Sequence, residues 1–482
     1  MIDAQIAYRA LTSRDSRFDG LFYVGVLSTG IYCRPVCPVK APLAKNCRFF
    51  ESVEAAEKAH FRPCLRCRPE LAPGCAPLDS SRRVADELVR RIAEGALEEE
   101  ESSLERLAAH FSLSLRQLRR IVQKELGVSP RELRQTRRLL LAKQLLTETA
   151  LPITEIALAS GFASLRRFND VFNKRYRMPP GRLRKQAQNG TLALSETSVL
   201  QLHYRPPFDW PSLLAFLRAR ALKGVEWVTE SSYVRTVRLG DCQGWIRVSA
   251  AENALSVEFT HSLTPVLPAL LRRLRNLFDL DAHPMQIAEQ LGQDALLRDS
   301  LQRNPGLRVP GAFDLFEMSV RAVLGQQITV KAATTLGGRF AEAFGEAYVT
   351  PFPELTHLAP TAATVAQASS GRIVSLGIIG TRARTLQSLA QACLQGKLAD
   401  FAMQPEEALA MLTSLPGIGD WTAHYIAMRA LRWPDAFPAG DVVVRKNLGG
   451  VTAKEAEYRS AAWRPWRSYA VMHIWKNLTP VK

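Results

Sequence analysis

Apolar residues along this chain change period twice. Between residues 20 and 50, short apolar and aromatic runs such as FYVGV and CRFF are bounded by Gly, Pro and Asn, which predicts strands of a small mixed domain. Residues 103 to 185 follow helical spacing with no sustained alternation. The segments HYRPPFDW, YVRTVRL, GWIRVSA and ALSVEF predict strands from about 199 to 260, after which helical periodicity returns. An antiparallel sheet followed by a helical body is the simplest arrangement. The Pro-rich LAPGCAPLDS, an acidic EEEE linker and the polar KQAQNGTLALSETS mark the joints. The expectation is a multidomain α+β chain of three parts, 1–76, 80–188 and 195–482: small mixed, all-α, and sheet plus helical body.

The middle part repeats itself at an offset of 50 residues. Ser114-Leu115 matches Ser164-Leu165, Leu118 matches Phe168, Val122 matches Phe172, and Pro130 matches Pro180. Each copy reads as helix, short turn, basic helix: SLERLAAHFSLSLRQLRRIV, opened by a Ser102-x-x-Glu105 capping box, and ITEIALASGFASLRRFNDVF, with Gly161 in its turn. Tandem helix-turn-helix units place Arg116, Gln117, Arg166 and Arg167 near the starts of the second helices, facing base edges or phosphates. A helical bundle with basic exposed faces is the alternative.

Charge strengthens the nucleic-acid reading. Lys and Arg total 63 against 46 Asp and Glu, a formal charge of +17. Residues 103 to 185 hold 18 basic and 6 acidic side chains. A polyanionic partner, double-stranded DNA, is expected. No apolar run reaches the ~18 uncharged residues of a membrane span, and the start MIDAQIAYRA lacks signal-peptide form, so a cytoplasmic protein with no membrane partner is expected. In that compartment the eight cysteines should be reduced.

Four of them cluster. Cys33 and Cys37 form one tight pair and Cys64 and Cys67 another, 26 residues on. Two pairs can supply four sulfurs to one tetrahedral ion, so one zinc is the expected cofactor, with a purely structural or redox site as the plain reading. Cys47, Cys75, Cys242 and Cys393 read as small buried side chains or spectators.

The surrounding residues, STGIYCRPVC followed by FRPCLRC, resemble the N-terminal domain of the Ada adaptive-response family over about 70 residues, including Gly30, Arg34-Pro35 and Arg62-Pro63. The resemblance implies that Cys33, beside its role as metal ligand, takes a methyl group from a DNA methylphosphotriester. A zinc-held thiolate suits attack on an sp3 carbon. Four thiolates around a divalent ion carry about two net negative charges, and methylation removes one, so DNA affinity should rise. Thr29, Lys40 and Arg62 are then candidate backbone contacts, with ordinary solvated surface as the alternative reading. The middle part resembles the AraC type of transcription factor over about 80 residues. That resemblance implies promoter DNA as target and, through activation, RNA polymerase as a partner.

In the third part, LPGIGDWTAHYIAMRAL reads as helix end, Gly-rich hairpin and second helix, with Gly417 and Gly419 allowing close approach of a phosphate. Asp441 follows 22 residues after Gly419. Hairpin and downstream Asp resemble the helix-hairpin-helix DNA glycosylases. The wider match, with AFDLFEMSVRAVLGQQIT and WRPWRSYAVMHIW, is similar to the AlkA type of inducible 3-methyladenine DNA glycosylase over roughly 195–482. The resemblance implies that Asp441 is the catalytic carboxylate, stabilising the positive sugar and orienting or deprotonating water. Gly440 stands where the AlkA pattern has a second acid. Trp421 stands where bifunctional relatives carry a lysine nucleophile, so hydrolysis without a lyase step is expected.

Trp421 and Tyr425, four apart on a helix, and Trp475 are candidate walls of a pocket for a flipped, cationic alkylbase, although an i, i+4 aromatic pair is also the mark of core packing. Gln327 falls where AlkA inserts a leucine into the stack, and a polar wedge unstacks bases less readily. No PCHRV-like motif occurs, so alkylguanine repair by a separate cysteine is not expected. The combined reading is an alkylation-response enzyme. It accepts methyl groups, activates genes and releases alkylated bases such as 3-methyladenine. The alternative is a regulator whose glycosylase-like part only holds DNA.

Overall fold

A computed structural model of the chain describes residues 4–14, 18–19, 22–50, 52–69, 81, 84–85, 87–89, 91–92, 100–111, 113–187, 196–398 and 405–477. Cys75 and the polar stretch 188–195 lie outside them. Packing divides the chain into two compact units, one of residues up to 137 and one from 138 onward.

The first unit opens with the helix Ala4–Ser13 and a four-stranded mixed sheet. Strands β1 (Tyr23–Val26), β2 (Ile31–Cys33), β3 (Cys47–Phe50) and β4 (Arg62–Pro63) lie in the order β3-β1-β2-β4. The β1 pairings are antiparallel and β2 with β4 is parallel. Both FYVGV and CRFF thus form strands as expected. The parallel register sets Ile31 beside Arg62 and brings the end of β2, with Cys33, alongside Cys64, whose N–H donates to Tyr32 O at 3.0 Å.

The 50-residue repeat is visible as two matching helices, Leu115–Leu126 and Leu165–Tyr176. Ser114 and Ser164 cap them identically: each hydroxyl accepts from the backbone N–H three residues on, Gln117 N and Arg167 N. A serine oxygen satisfies a donor that a helix start leaves unpaired, which is why the repeat preserves it. Ser102 differs from expectation. It lies inside the helix Glu100–His110 and does not precede it.

In the second unit, β5 (Thr197–His203), β6 (Glu226–Val228), β7 (Ser232–Leu239), β8 (Cys242–Ala251) and β9 (Ala254–Thr260) form an antiparallel sheet of order β5-β9-β8-β7-β6. HYRPPFDW is not a strand. His203 closes β5, Pro206 and Pro207 supply no ladder N–H, and Trp210 starts the helix Trp210–Arg218, capped by Asp209. Helices follow from Leu267, forming two apolar clusters on either side of the helix Asp420–Arg429.

The second repeat shares the core of this sheet. Leu139, Leu146, Ile156, Phe168 and Phe172 belong to one continuous buried cluster with Leu200, Ile246, Val257 and Phe259. Polar groups follow suit: Gln144 Nε2 donates to Gln201 O at 2.8 Å and Glu148 accepts from Gln201 N at 2.8 Å, pairing backbone groups of the edge strand β5. The shared core predicts a mutational effect at a distance. Removing the fully buried Phe172 ring should cost roughly 3–5 kcal/mol. All eight tryptophans lie at or beyond position 210, so intrinsic fluorescence reports only the sheet and helical body. Phe172→Ala should lower the fluorescence-detected unfolding midpoint; an unchanged midpoint would mean the two parts unfold independently.

Candidate active site and metal centre

In the first unit the strand pairing gathers Cys33, Cys37, Cys64 and Cys67 so that their sulfurs all lie within 4.8 Å of one another. All four residues are buried. Zinc–sulfur bonds of about 2.3 Å in a tetrahedron put sulfurs about 3.8 Å apart, so the donor set fits one zinc. Thiols this close cannot all ionise unaided. Hydrogen bonds to Cys37 and then Cys67, with burial, push the Cys33 thiol far up, whereas the same bonds, led by Cys33, hold Cys37 down at about 3.

Cys33 keeps 8% exposure while Cys67 keeps none, and the Arg34 N–H donates to Cys67 Sγ at 3.4 Å. The Arg34 guanidinium is itself buried and grips Asp19, with Nε 2.8 Å from Oδ1. That partner was not legible in the sequence, because no spacing rule links an Asp to an Arg fifteen residues later. Thr29, Lys40 and Arg62 are exposed. Arg62 N donates to Gly30 O at 2.8 Å, which sets Arg62 beside the hairpin that carries Thr29.

Arg116, Arg166 and Arg167 are exposed at the starts of their helices. Gln117 is exposed there too, and its side-chain oxygen accepts from Ser114 N and Ser114 Oγ, both at 2.8 Å, completing a capping box.

In the second unit a cavity of about 550 Å³ opens beside Asp441. Asp441 caps the helix Val442–Asn447, its Oδ1 accepting from Val443 N and Val444 N at 3.0 Å each. Two indoles also donate to it, Trp475 Nε1 to Oδ1 at 3.1 Å and Trp421 Nε1 to Oδ2 at 3.2 Å. The cap reading and the cavity reading are therefore both true of this residue.

Two aromatic walls run inward from that carboxylate. On one, Trp421 stacks on Tyr425 with centroids 5.3 Å apart and planes 7° from parallel, and Arg429 Nη1 donates to Tyr425 Oη at 2.8 Å. On the other, Trp475 stacks on Phe216 at 6.4 Å and 15°, and the Arg220 guanidinium lies 3.8 Å over the Phe216 ring. Burial would raise the Tyr425 phenol, but Arg429 and Arg220 outweigh it and bring it below its ordinary value. Trp421, Tyr425 and Trp475 thus line one cavity together.

Arg220, Arg321 and Arg429 line it too, and Phe216 stacks on Trp475; sequence reasoning passed over all four. Phe216 lies in the helix Trp210–Arg218 and Arg220 just past its end, more than two hundred residues before Asp441, and a basic residue there ordinarily reads as solvated. Arg321 belongs to a buried ionic cluster. Its Nη2 lies 2.6 Å from both Glu226 and Glu317, and Arg235 Nη2 lies 2.8 Å from Glu317. Burial opposes ionisation of Glu317, yet Arg235 and Arg321 hold it down at about 2.

The hairpin connects the helices Pro405–Ser414 and Asp420–Arg429. Gly417 is left-handed, φ 84°, and a Cβ there would meet Thr385 Oγ1 at 2.0 Å, so only glycine fits. Gly419 is extended, φ −88°, with open space where a Cβ would stand. It opens its helix without any side-chain cap, leaving backbone amides for an anion. Gln326 Nε2 bridges Gly417 O at 2.8 Å and Thr422 Oγ1 at 3.0 Å, fastening the hairpin to the loop that displays Gln327. Gln327 is exposed and left-handed, φ 53°.

The Ada metal-binding domain family matches residues 6–70, a helix-turn-helix domain family 107–186, the AlkA N-terminal domain 199–314, and the HhH-GPD superfamily of base excision DNA repair proteins 320–467. A Mycobacterium tuberculosis protein described as a probable bifunctional transcriptional activator/DNA repair enzyme AlkA is 38% identical over 484 residues, covering 99% of this chain and 97% of that one. DNA-3-methyladenine glycosylase 2 of Escherichia coli is 36% identical, covering 57% of this chain and 95% of its own. Among solved structures, a 3-methyladenine DNA-glycosylase from Archaeoglobus fulgidus shares the fold, with a TM-score of 0.52, 19% identity, and coverage of 57% of this chain and 97% of that one.

The sulfur cluster generates a direct expectation. Purified protein should contain one zinc per chain by elemental analysis, lost on chelation and as pH falls, because the ligands must be deprotonated. Cys64→Ser should lower zinc occupancy, and full occupancy in that variant would refute the four-sulfur site.

Proposed function

The chain belongs to the family of Ada/AlkA-type bifunctional transcriptional activators and DNA repair enzymes, and on that premise we propose how its parts act. We place a methyl-acceptor domain at 1–76, a tandem helix-turn-helix domain at 80–188 and a glycosylase at 195–482.

The methyl acceptor is Cys33. Zinc, when bound, keeps the sulfurs as thiolates at neutral pH. The Cys33 sulfur forms a bond to the methyl carbon of a phosphotriester, the carbon–oxygen bond breaks, and the phosphodiester oxyanion leaves with the electron pair. The resulting thioether has no route back, so each chain reacts once. Cys33 at 8% and Cys64 at 7% are the more exposed of the four, while Cys67 is sealed and accepts a backbone hydrogen bond, and the family resemblance assigns the role to Cys33. Thr29, Lys40 and Arg62 hold the phosphate backbone. Loss of one negative charge at the cluster favours promoter DNA, read by Arg116, Arg166 and Arg167, and leads to contact with RNA polymerase.

The glycosylase reading is carried by one observation: the Asp441 carboxylate stands at an aromatic cavity with both oxygens fixed. A flipped alkylpurine lies between the walls built from Trp421, Tyr425 and Trp475. As the N-glycosidic bond breaks, its electron pair leaves with the base, and Asp441 stabilises positive charge on the sugar. Water adds at C1′ and gives up its proton to the carboxylate or solvent. With tryptophan at position 421, no amine is at hand for a Schiff base, so the product is an intact abasic strand. Gln327 fills the gap left in the stack, and the hairpin at Gly417 and Gly419 holds the backbone.

Two assays test this reading. Asn caps helices as well as Asp does, so Asp441→Asn should keep its fold. It should lose base release from methylated duplex DNA by ~100-fold or more. Wild-type product should stay uncleaved before alkali. No release by wild-type protein would leave only a DNA-holding module. Incubation with methylphosphotriester DNA should add the mass of one methyl group to the Cys33 peptide, and modification elsewhere would overturn that assignment.

A further inference from the structure

We propose that Arg220 reads the 6-position of the extruded purine, favouring bases with an oxygen there over bases with an amino group. The inference rests on the glycosylase reading and extends it to selectivity. The sugar end of the base must lie at Asp441 for the carboxylate to act, so the opposite edge of the purine points down the cavity. Both aromatic walls end there in a guanidinium, Arg429 on one and Arg220 on the other.

The two differ in what their donors already serve. Arg429 is committed: Nε donates to Pro310 O, Nη2 to Gly311 O and Nη1 to Tyr425 Oη. Arg220 donates from Nη1 to Phe216 O at 3.3 Å and interacts with the Tyr425 phenol. No carboxylate among the described residues forms an ion pair with it. A guanidinium has five N–H groups in a planar fork, so Arg220 has donors left for a ligand. Its guanidinium carbon sits 3.8 Å over the Phe216 ring and the side chain lines the cavity, so the unused donors belong to the cavity wall. Its backbone is fixed as well, since Arg321 Nη1 donates to Arg220 O at 2.9 Å.

An oxygen at the 6-position accepts from such a fork. An amino group presents hydrogens to hydrogens and leaves the guanidinium unsatisfied. A site built to bond one polar group discriminates strongly against a base lacking it. Charge does not confound the comparison, because 7-methylguanine and 3-methyladenine are both cationic as nucleosides in DNA and differ on this edge.

The test measures single-turnover release of both bases by the full-length chain, as wild type, Arg220→Ala and Arg220→Lys. Arg220→Ala should slow 7-methylguanine release about tenfold more than it slows 3-methyladenine release. Arg220→Lys, with one donor group retained, should recover part of the loss. The ratio of the two rates in one preparation is independent of the fraction folded. Equal slowing of both, or no change in either, would overturn the role of Arg220. Failure of the wild type to release either base would overturn the glycosylase reading instead.

Discussion

A carboxylate beside a cavity is useful only if it stays where charge will develop, and Asp441 is held by four hydrogen bonds. Two come from the backbone at the start of its own helix and two from indoles on separate helices. The oxygens therefore cannot turn toward solvent, and the indoles cannot leave the cavity walls without losing an acceptor. One side chain fixes the orientation of the acid and the shape of the binding surface together. This economy explains why a residue type usually found at helix caps serves here without ceasing to be one.

The rest of the second unit keeps that arrangement rigid. The ionic cluster of Arg235, Glu226, Glu317 and Arg321 joins two strands of the sheet to the helix Leu315–Leu324. Breaking one member of a buried cluster would strand the others without partners, so the sheet and the helical body hold one relative placement. Phe216 comes from the helix Trp210–Arg218 and Trp475 from the helix Arg467–Asn477, so their stacking spans distant parts of this unit.

Much of this could be read from residue patterns, and the failures share a cause. The cysteine pairs, the repeat and Asp441 were legible because their spacing is local. HYRPPFDW failed because two prolines outweigh an alternating pattern. The walls formed by Phe216 and Arg220, and the Asp19 grip on Arg34, arise from tertiary contacts that no window along the chain contains. The zinc ligands needed no such contacts to be recognised, although a parallel strand pair is what unites them.

The continuous apolar cluster beneath the second repeat has a consequence for how such a chain can change over evolutionary time. A helix-turn-helix repeat that also completes a neighbour's interior is no longer a cassette. Recombination could swap the first repeat for a foreign regulator's and leave the repair half intact. Replacing the second would require a donor whose hidden face already matched the sheet, so the two halves are expected to drift together as one inheritance.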